Sequence, residues 1–288
     1  MGSDAVLEPV GTPGGELRGN TRASWLFLVV AVLVGSTLHA QRGAQGGRGA
    51  PPQGPPPTGQ SVAPVDLTGY WESLIVDEWR FRVTPQKGDV AYLPLNAEAR
   101  QVANAWDPAK DEADGKSCKA YGAVGVMQRP GRLHMTWDNP NTLKVEADAG
   151  SQTRLIHFSA APAQTGAPSW QGYSTANWQA NGRVLIDTGG LGLVPALRQS
   201  GTSTSGTMRV VTTNMLPGYI RKNGVPYSEK AVLTEYFNRL TGQQNDLYLA
   251  VTAMVEDATY LTQPFVRTYT FRKLADASGW EPTPCWNR

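Results

Sequence analysis

The sequence predicts an all-β protein with a minor helical part, in which an antiparallel meander closes into a barrel of about 8–10 strands. Apolar residues recur at every second position, as at Leu247, Leu249 and Val251, which is the period of a half-buried strand. Segments of this kind follow one another across turn residues, without a strand–helix–strand unit between them. Closing the sheet removes its edges, and a barrel of this size can hold one small ligand.

The alternation of apolar and polar residues places the strands in order along the chain. They are predicted at 66–73, 79–84, 132–137, 142–149, 152–159, 169–178, 183–188, 207–215, 231–240, 246–255 and 265–273. Asn181-Gly182 is a hairpin signal between two of these segments. Long connections are expected at 189–206 and 217–228, and binding residues tend to lie on such loops.

One or two short helices are predicted near 97–114. Asn96 is a suitable N-cap for a helix over 97–106. Asp107 followed by Pro108 is typical of the start of a second helix, because proline is tolerated at the first helical position. These helices lie beside strand-rich sequence and are expected to cover one end of the barrel.

The N-terminal part of the chain is typical of an exported protein. Arg18 and Arg22 precede an apolar run over 25–35, and small residues end at Ala40, so residues 1–40 are predicted to be a signal peptide with an N-terminal extension. The run is short for a membrane span, and no stable span is expected after cleavage. Residues 41–64 contain six Gly and six Pro and are predicted to be a disordered linker. Residues 65–288 then form a single barrel domain in the periplasm or outside the cell.

Charge and cysteine content narrow the function classes. The chain has 26 basic and 24 acidic side chains, a formal net charge of +2, which gives no electrostatic case for a nucleic-acid partner. Its two cysteines, Cys118 and Cys285, are predicted to form a disulfide in an oxidising compartment. The rival interpretation, metal thiolates, lacks a neighbouring His or second Cys at ligand spacing.

Gly69-Tyr70-Trp71, on the first strand of the meander, resembles the Gly-x-Trp signature of lipocalins and their calycin relatives. In that superfamily a basic residue from the last strand packs over the tryptophan. The resemblance implies a barrel fold here, with Arg272 or Lys273 over Trp71.

A second resemblance covers most of the predicted domain. Residues 169–174 (SWQGYS) and 184–188 (VLIDT) are similar to a pattern in a family of uncharacterised exported bacterial proteins, and the match continues through 233–237 and 255–264. The sequence departs from the family's usual Trp-Glu-Gly-Asp turn, with WQANG at 178–182. This resemblance implies the fold and the export and adds no chemistry.

Glu235 and His157 are the candidate catalytic residues. Glu235 lies between Leu233 and Phe237 on one strand face, so it is expected to point into the barrel. Desolvation would raise the pKa of such a carboxylate and suit it to acid or base chemistry. The alternative is an ion pair with Arg239, Arg221 or Arg209.

His157 and His134 lie on strands of the same meander, where they would face each other across the barrel as a general base or metal site with Glu146 or Asp148. The alternative for each histidine is a structural role on a solvated face, since His134 shares a strand face with Arg132 and Thr136.

A set of aromatic residues and one arginine is predicted to line a pocket for a flat or apolar ligand. The set is Trp71, Trp79, Trp137, Tyr173, Tyr236 and Arg221. For any single aromatic residue, the alternative is that it fills the core. The Gly-rich run at 189–192 lacks the helix and lysine of a phosphate loop, and neither a cofactor nor a metal is expected.

Three functions remain open at this point. The first is an exported, lipocalin-like barrel that binds a small, largely apolar or aromatic molecule. The second is a cofactor-independent hydratase, isomerase or lyase on the same barrel, using the buried carboxylate. The third is an envelope module that binds another protein through exposed aromatic residues.

Overall fold

The structure is a computed structural model that describes residues 55–76, 78–83, 85–158, 166–180 and 206–286. The signal segment, the predicted hairpin at 181–182 and the predicted strand at 183–188 lie outside the described residues. Within the described ranges, nine strands form a closed barrel and the helices are short, which confirms the predicted all-β class with minor α.

The barrel strands are β1 (Gly69–Leu74), β2 (Arg132–Asn139), β3 (Thr142–Ala147), β4 (Gln152–His157), β5 (Tyr173–Ala180), β6 (Gly206–Thr213), β9 (Val232–Thr241), β10 (Leu247–Glu256) and β11 (Phe265–Lys273). A separate hairpin pairs β7 (Gly218–Arg221) with β8 (Val225–Tyr227). The helices are α1 (Trp79–Arg82), α2 (Ala97–Ala105), α3 (Pro108–Ala113) and α4 (Ala123–Val126), with 3₁₀ turns at Ser117–Tyr121 and Gln243–Asn245. Around the barrel the order is β1-β11-β10-β9-β6-β5-β4-β3-β2.

One neighbouring pair, β4 with β5, is parallel, whereas the other pairs of the barrel are antiparallel. Directions in a purely antiparallel ring alternate, so a ring with an odd number of strands cannot close without a parallel pair. Nine strands therefore require this exception to the predicted antiparallel meander. The pairing is short, joining Ile156 to Ser174 and His157 to Thr175.

Two local predictions are corrected. The predicted strand at 79–84 is instead helix α1, with the adjacent residues Phe81 and Arg82 both buried. Adjacent buried residues do not fit a strand with one solvated face, and the alternation of aromatic residues with arginines was misleading. The predicted connection at 217–228 contains the hairpin β7–β8, whose strands are too short to show a clear period.

The predicted helices near 97–114 are confirmed with their caps. Asn96 Oδ1 accepts a hydrogen bond from Ala99 N at the start of α2. The side chain of Asp107 accepts from Ala109 N and Lys110 N at the start of α3, with Pro108 at the first helical position. Both side chains satisfy helix N–H groups that lack a partner within the helix.

The two ends of the barrel differ in what covers them. At one end, called the mouth, β1 and β3 begin and β11 ends at Lys273. Residues 58–68 pack there, and Trp178 Nε1 donates to Gly59 O at 2.7 Å. The predicted linker at 41–64 therefore includes residues that contact the barrel. At the other end, called the closed end, α1, α4 and the hairpin β7–β8 lie beyond the strands.

The barrel interior is filled by side chains. Large residues that face inward on the strands are fully buried, as expected for a small barrel. They include Trp71, Met135, Leu143, Ile156, Met208, Phe237 and Phe271. These side chains form the core of the barrel.

The predicted disulfide is confirmed, with the Sγ atoms of Cys118 and Cys285 2.03 Å apart. It joins the 3₁₀ turn Ser117–Tyr121 to the C-terminal tail, and the bond fits a protein outside the cytoplasm. Closing so long a loop contributes about 5 kcal/mol in the chain-entropy model. Of the helices in the described ranges, none has the length and apolar character to cross a membrane.

Candidate functional site

A cleft of about 350 Å³ lies at the mouth, between the N-terminal segment and the barrel rim. Polar and apolar residues line it in equal number, and Trp137 is the aromatic residue among them. The lining residues are Gln60, Ala63, Val65, Asp66, Thr68 and Trp137. Trp137 was among the residues predicted from the sequence to bind ligand.

Trp137 belongs to an aromatic cluster that the strand ends bring together. Its ring centroid lies 5.3 Å from that of Phe158, which in turn lies 5.4 Å from the ring of Trp178. Trp137 is at the end of β2 and Trp178 near the end of β5, so both reach the same end of the barrel. The bond from the Trp178 indole to Gly59 O then fixes the N-terminal segment against this cluster.

A turn at Asp66 shapes the polar side of the cleft. Oδ1 of Asp66 accepts from Thr68 N at 2.9 Å and from Thr68 Oγ1 at 2.7 Å. Burial acts to raise the pKa of Asp66, but the two bonds from Thr68, with Lys273 and Arg239 nearby, outweigh it and hold the pKa below its usual value. Asp66 is therefore ionised at neutral pH and offers a hydrogen-bond acceptor at the cleft.

Lys273 links this turn to the buried tryptophan of β1. Its Nζ lies 4.7 Å from the ring centroid of Trp71 and donates to Thr68 O. Burial lowers the pKa of Lys273. Trp71 is fully buried and its Nε1 donates to Leu67 O at 2.9 Å. Lys273 is one of the two basic residues expected over Trp71; membership of the lipocalin superfamily stays a prediction.

The strongest polar feature inside the barrel is an ion pair between Arg154 and Glu235. Arg154 Nη2 lies 2.5 Å from Glu235 Oε2, and the two side chains are 3% and 0% exposed. Arg154 also donates to Ser174 Oγ at 2.9 Å and to Thr212 Oγ1 at 2.5 Å. Glu235 does point inward, as predicted, and it is paired with an arginine other than the three considered from the sequence.

The two candidate catalytic residues are not brought together. On β4, Arg154 and Ile156 are buried and face inward, so His157 faces outward, where it stacks on Tyr173 with ring centroids 5.1 Å apart. His134 is also outside, stacked on Tyr70 and 3.2 Å from Glu146. Within the described residues, three or more His, Cys, Asp or Glu side chains do not group as a metal site.

The six predicted ligand-binding residues are spread over the molecule. Trp71 is in the core, and Trp137 lines the mouth. Tyr173 and Tyr236 face outward. Trp79 and Arg221 are at the closed end, where Trp79 is 65% exposed and Arg221 is buried.

Comparison of the chain with family models, curated proteins and solved structures gave no match.

Sequence reasoning missed the residues of the N-terminal segment, because Gly- and Pro-rich composition hides the contacts of 58–68. It also missed Arg154, which is 81 positions from Glu235 and becomes its neighbour only through the strand order. Arg154 is two positions before the apolar Ile156 on the same strand, so both share one face, and this spacing was the signal that would have placed the arginine inside.

Proposed function

We propose that the protein binds a small, largely apolar molecule with an aromatic ring in the cleft at the mouth of the barrel. The observation that carries the proposal is the cleft of about 350 Å³ beside Trp137. Its volume falls in the range of ligand pockets, and its lining combines the Trp137 ring with polar groups that can orient a ligand. The aromatic cluster behind Trp137 gives a ligand ring a rigid surface to stack on.

The polar groups of the cleft favour a ligand that carries a hydrogen-bond donor. Asp66 is ionised and accepts hydrogen bonds, and a carboxylate acceptor makes the stronger, charge-assisted kind of bond. Among apolar molecules of one shape, those with an N–H or O–H group directed at Asp66 are expected to bind best.

We further propose that this binding takes place in the periplasm or outside the cell. The apolar run before residue 40 supports export, and a disulfide supports an oxidising compartment. The catalytic alternative has less support, because the carboxylate of Glu235 is fully buried and paired with Arg154, as in a structural ion pair.

Calorimetric titration with indole and with benzofuran tests the proposal. The two molecules share a shape, and only indole has an N–H donor, so indole is expected to bind more tightly to the wild-type protein. Trp137→Ala is expected to weaken the binding of both by about tenfold, as the stacking energy of one aromatic pair suggests.

Trp280→Ala is the matched control, because Trp280 contacts Tyr70 and His134 on the outer face. Equal affinities in the Trp137→Ala and Trp280→Ala proteins would overturn the proposal, as would a wild-type protein that binds neither compound.

A further inference from the structure

The closed end of the barrel contains a buried arginine whose side chain has no hydrogen-bond partner among the described residues. Arg129 follows α4 and is 4% exposed. Its Nε, Nη1 and Nη2 atoms are all buried and make no hydrogen bond. A guanidinium group has five N–H donors, and buried polar groups in folded proteins are nearly always paired. Such an exception points to a missing partner.

The positive charge of Arg129 is kept at neutral pH. Burial lowers its pKa to about 10, with Arg82 adding to the effect, and this value is still well above 7. An isolated charge inside a protein is strongly unfavourable unless it is paired. Water molecules would satisfy the N–H groups, but only an anion would also neutralise the charge.

The surroundings of Arg129 add to the positive potential. Arg82, also buried, donates to Leu74 O at 2.8 Å and to Gln128 O at 3.2 Å, and its Cζ lies 5.5 Å from the ring centroid of Tyr269. Burial raises the pKa of Tyr269, so its hydroxyl keeps the proton and remains a hydrogen-bond donor. Both residues lie close enough to Arg129 for their charges to affect its pKa.

Arg221 is a further buried arginine, and it packs against Phe81 of α1. Its Cζ lies 4.0 Å from the ring centroid of Phe81, and Nη1 donates to Ala91 O at 3.0 Å. Its Nη2 is buried and makes no hydrogen bond. Tyr269 also lies close enough to Arg221 to affect its pKa.

Among the described residues, the two acidic side chains that act on Arg221 already form ion pairs. Glu78 Oε1 lies 2.9 Å from Arg267 Nε, and Asp89 Oδ2 lies 2.6 Å from Arg80 Nε. In the part of the chain that the structure describes, Arg129 has no carboxylate in ion-pair contact. Its charge is therefore not neutralised by any carboxylate among the described residues.

We propose that the closed end holds a small oxyanion, a carboxylate or phosphate group, with Arg129 as its main ligand. The guanidinium fork matches two oxygens of either group, and Tyr269 and Arg82 supply a donor and further positive charge beside it. The group belongs either to a free inorganic anion or to the acidic end of an organic molecule. This site is at the opposite end of the barrel from the mouth cleft and is independent of it.

The test uses the full chain, dialysed into a buffer in which chloride is the background anion. Sodium phosphate and sodium acetate are added at constant ionic strength, and the Tm and the calorimetric affinity are measured. At least one of the two anions is expected to raise the wild-type Tm in a saturable way, because it binds the folded state. A rise in Tm with phosphate but not with acetate would indicate a phosphate site. A rise with acetate but not with phosphate would indicate a carboxylate site.

Arg129→Met is expected to bind the effective anion at least tenfold more weakly. Before anion is added, its Tm should exceed that of the wild type, because an apolar side chain replaces an unpaired buried charge. Arg272→Met is the matched control, since Arg272 is exposed and makes a surface ion pair with Asp246. Should Arg129→Met not fold, Arg129→Lys retains the charge without the fork and is expected to bind more weakly than wild type.

Equal responses of the wild-type and Arg129 variants to the anion would overturn the proposal. Absence of any wild-type response to both anions would also overturn it and would leave water as the partner of Arg129.

Discussion

The ion pair between Arg154 and Glu235 organises one side of the barrel interior. Ser174 and Thr212 bond to the guanidinium and also to each other, with 2.9 Å between their hydroxyl oxygens. Nη1 of Arg154 and Oε1 of Glu235 have no further hydrogen bond, so each charge depends mainly on the other. Removing one partner would leave the other charge buried without compensation.

We therefore predict that Glu235→Gln lowers the free energy of unfolding by about 3–5 kcal/mol. The double variant Arg154→Met/Glu235→Leu is predicted to recover most of that loss, because Ser174 and Thr212 can still bond to each other and no lone charge remains. Urea unfolding followed by circular dichroism gives both values.

Glu146→Gln serves as the control, because Glu146 makes a half-exposed ion pair with Lys144, and such pairs contribute less than about 1 kcal/mol. A Glu235→Gln protein as stable as Glu146→Gln would contradict the structural role assigned to the pair.

Individual residues show how far the sequence could be interpreted. The inward direction of Glu235 follows from its place between Leu233 and Phe237, because alternation is a local property of a strand. The identity of its partner does not follow, since Arg154 and Glu235 meet only after β4, β5, β6 and β9 are placed side by side. The isolation of Arg129 depends on packing in three dimensions and has no local signal.

Among the elements, the N-terminal segment at 58–68 is the one on which the mouth cleft depends. Gly59 is buried against Phe158, and a Cβ atom at this position would overlap the Phe158 side chain. Composition predicts a flexible linker here, yet its last residues supply much of the lining of the cleft.

Gly59→Ala is predicted to push the segment off the rim, because overpacking of this kind costs about 1–3 kcal/mol. The expected results are weaker indole binding and greater quenching of Trp178 fluorescence by acrylamide. Gly166→Ala is the control, since a Cβ atom there meets nothing within 4 Å. If the two alanine variants behave alike, the segment does not form the cleft in the way described.

Helix α1 illustrates the limit of pattern recognition at this scale. Trp79, Phe81 and Val83 alternate with arginines, as residues of a strand do. A segment as short as the four residues of α1, however, fits the strand period of 2 and the helix period of 3.6 equally well. Long strands with a sustained alternation are free of this ambiguity, and β11 at Phe265–Lys273 has the bounds predicted for it.

At the scale of the whole molecule, the all-β class and the closure into a barrel could be predicted, but the parallel strand pair could not. Segments with a period of two identify the strands. The parallel pair β4–β5 depends on the number of strands in the closed ring, because an odd number cannot alternate in direction all the way around. The disulfide between Cys118 and Cys285 was predictable because two cysteines in a chain that is expected to be exported have one simple pairing.

The mouth cleft beside Trp137 is proposed to hold a small molecule. Native mass spectrometry of the full chain, exported to a periplasm and gently purified, tests it most directly, with Trp137→Ala and Trp280→Ala measured alongside. We expect an added mass on the wild-type and Trp280→Ala proteins that is lost on denaturation and is reduced in Trp137→Ala. A wild-type protein without added mass, or an equal added mass on all three proteins, would contradict it.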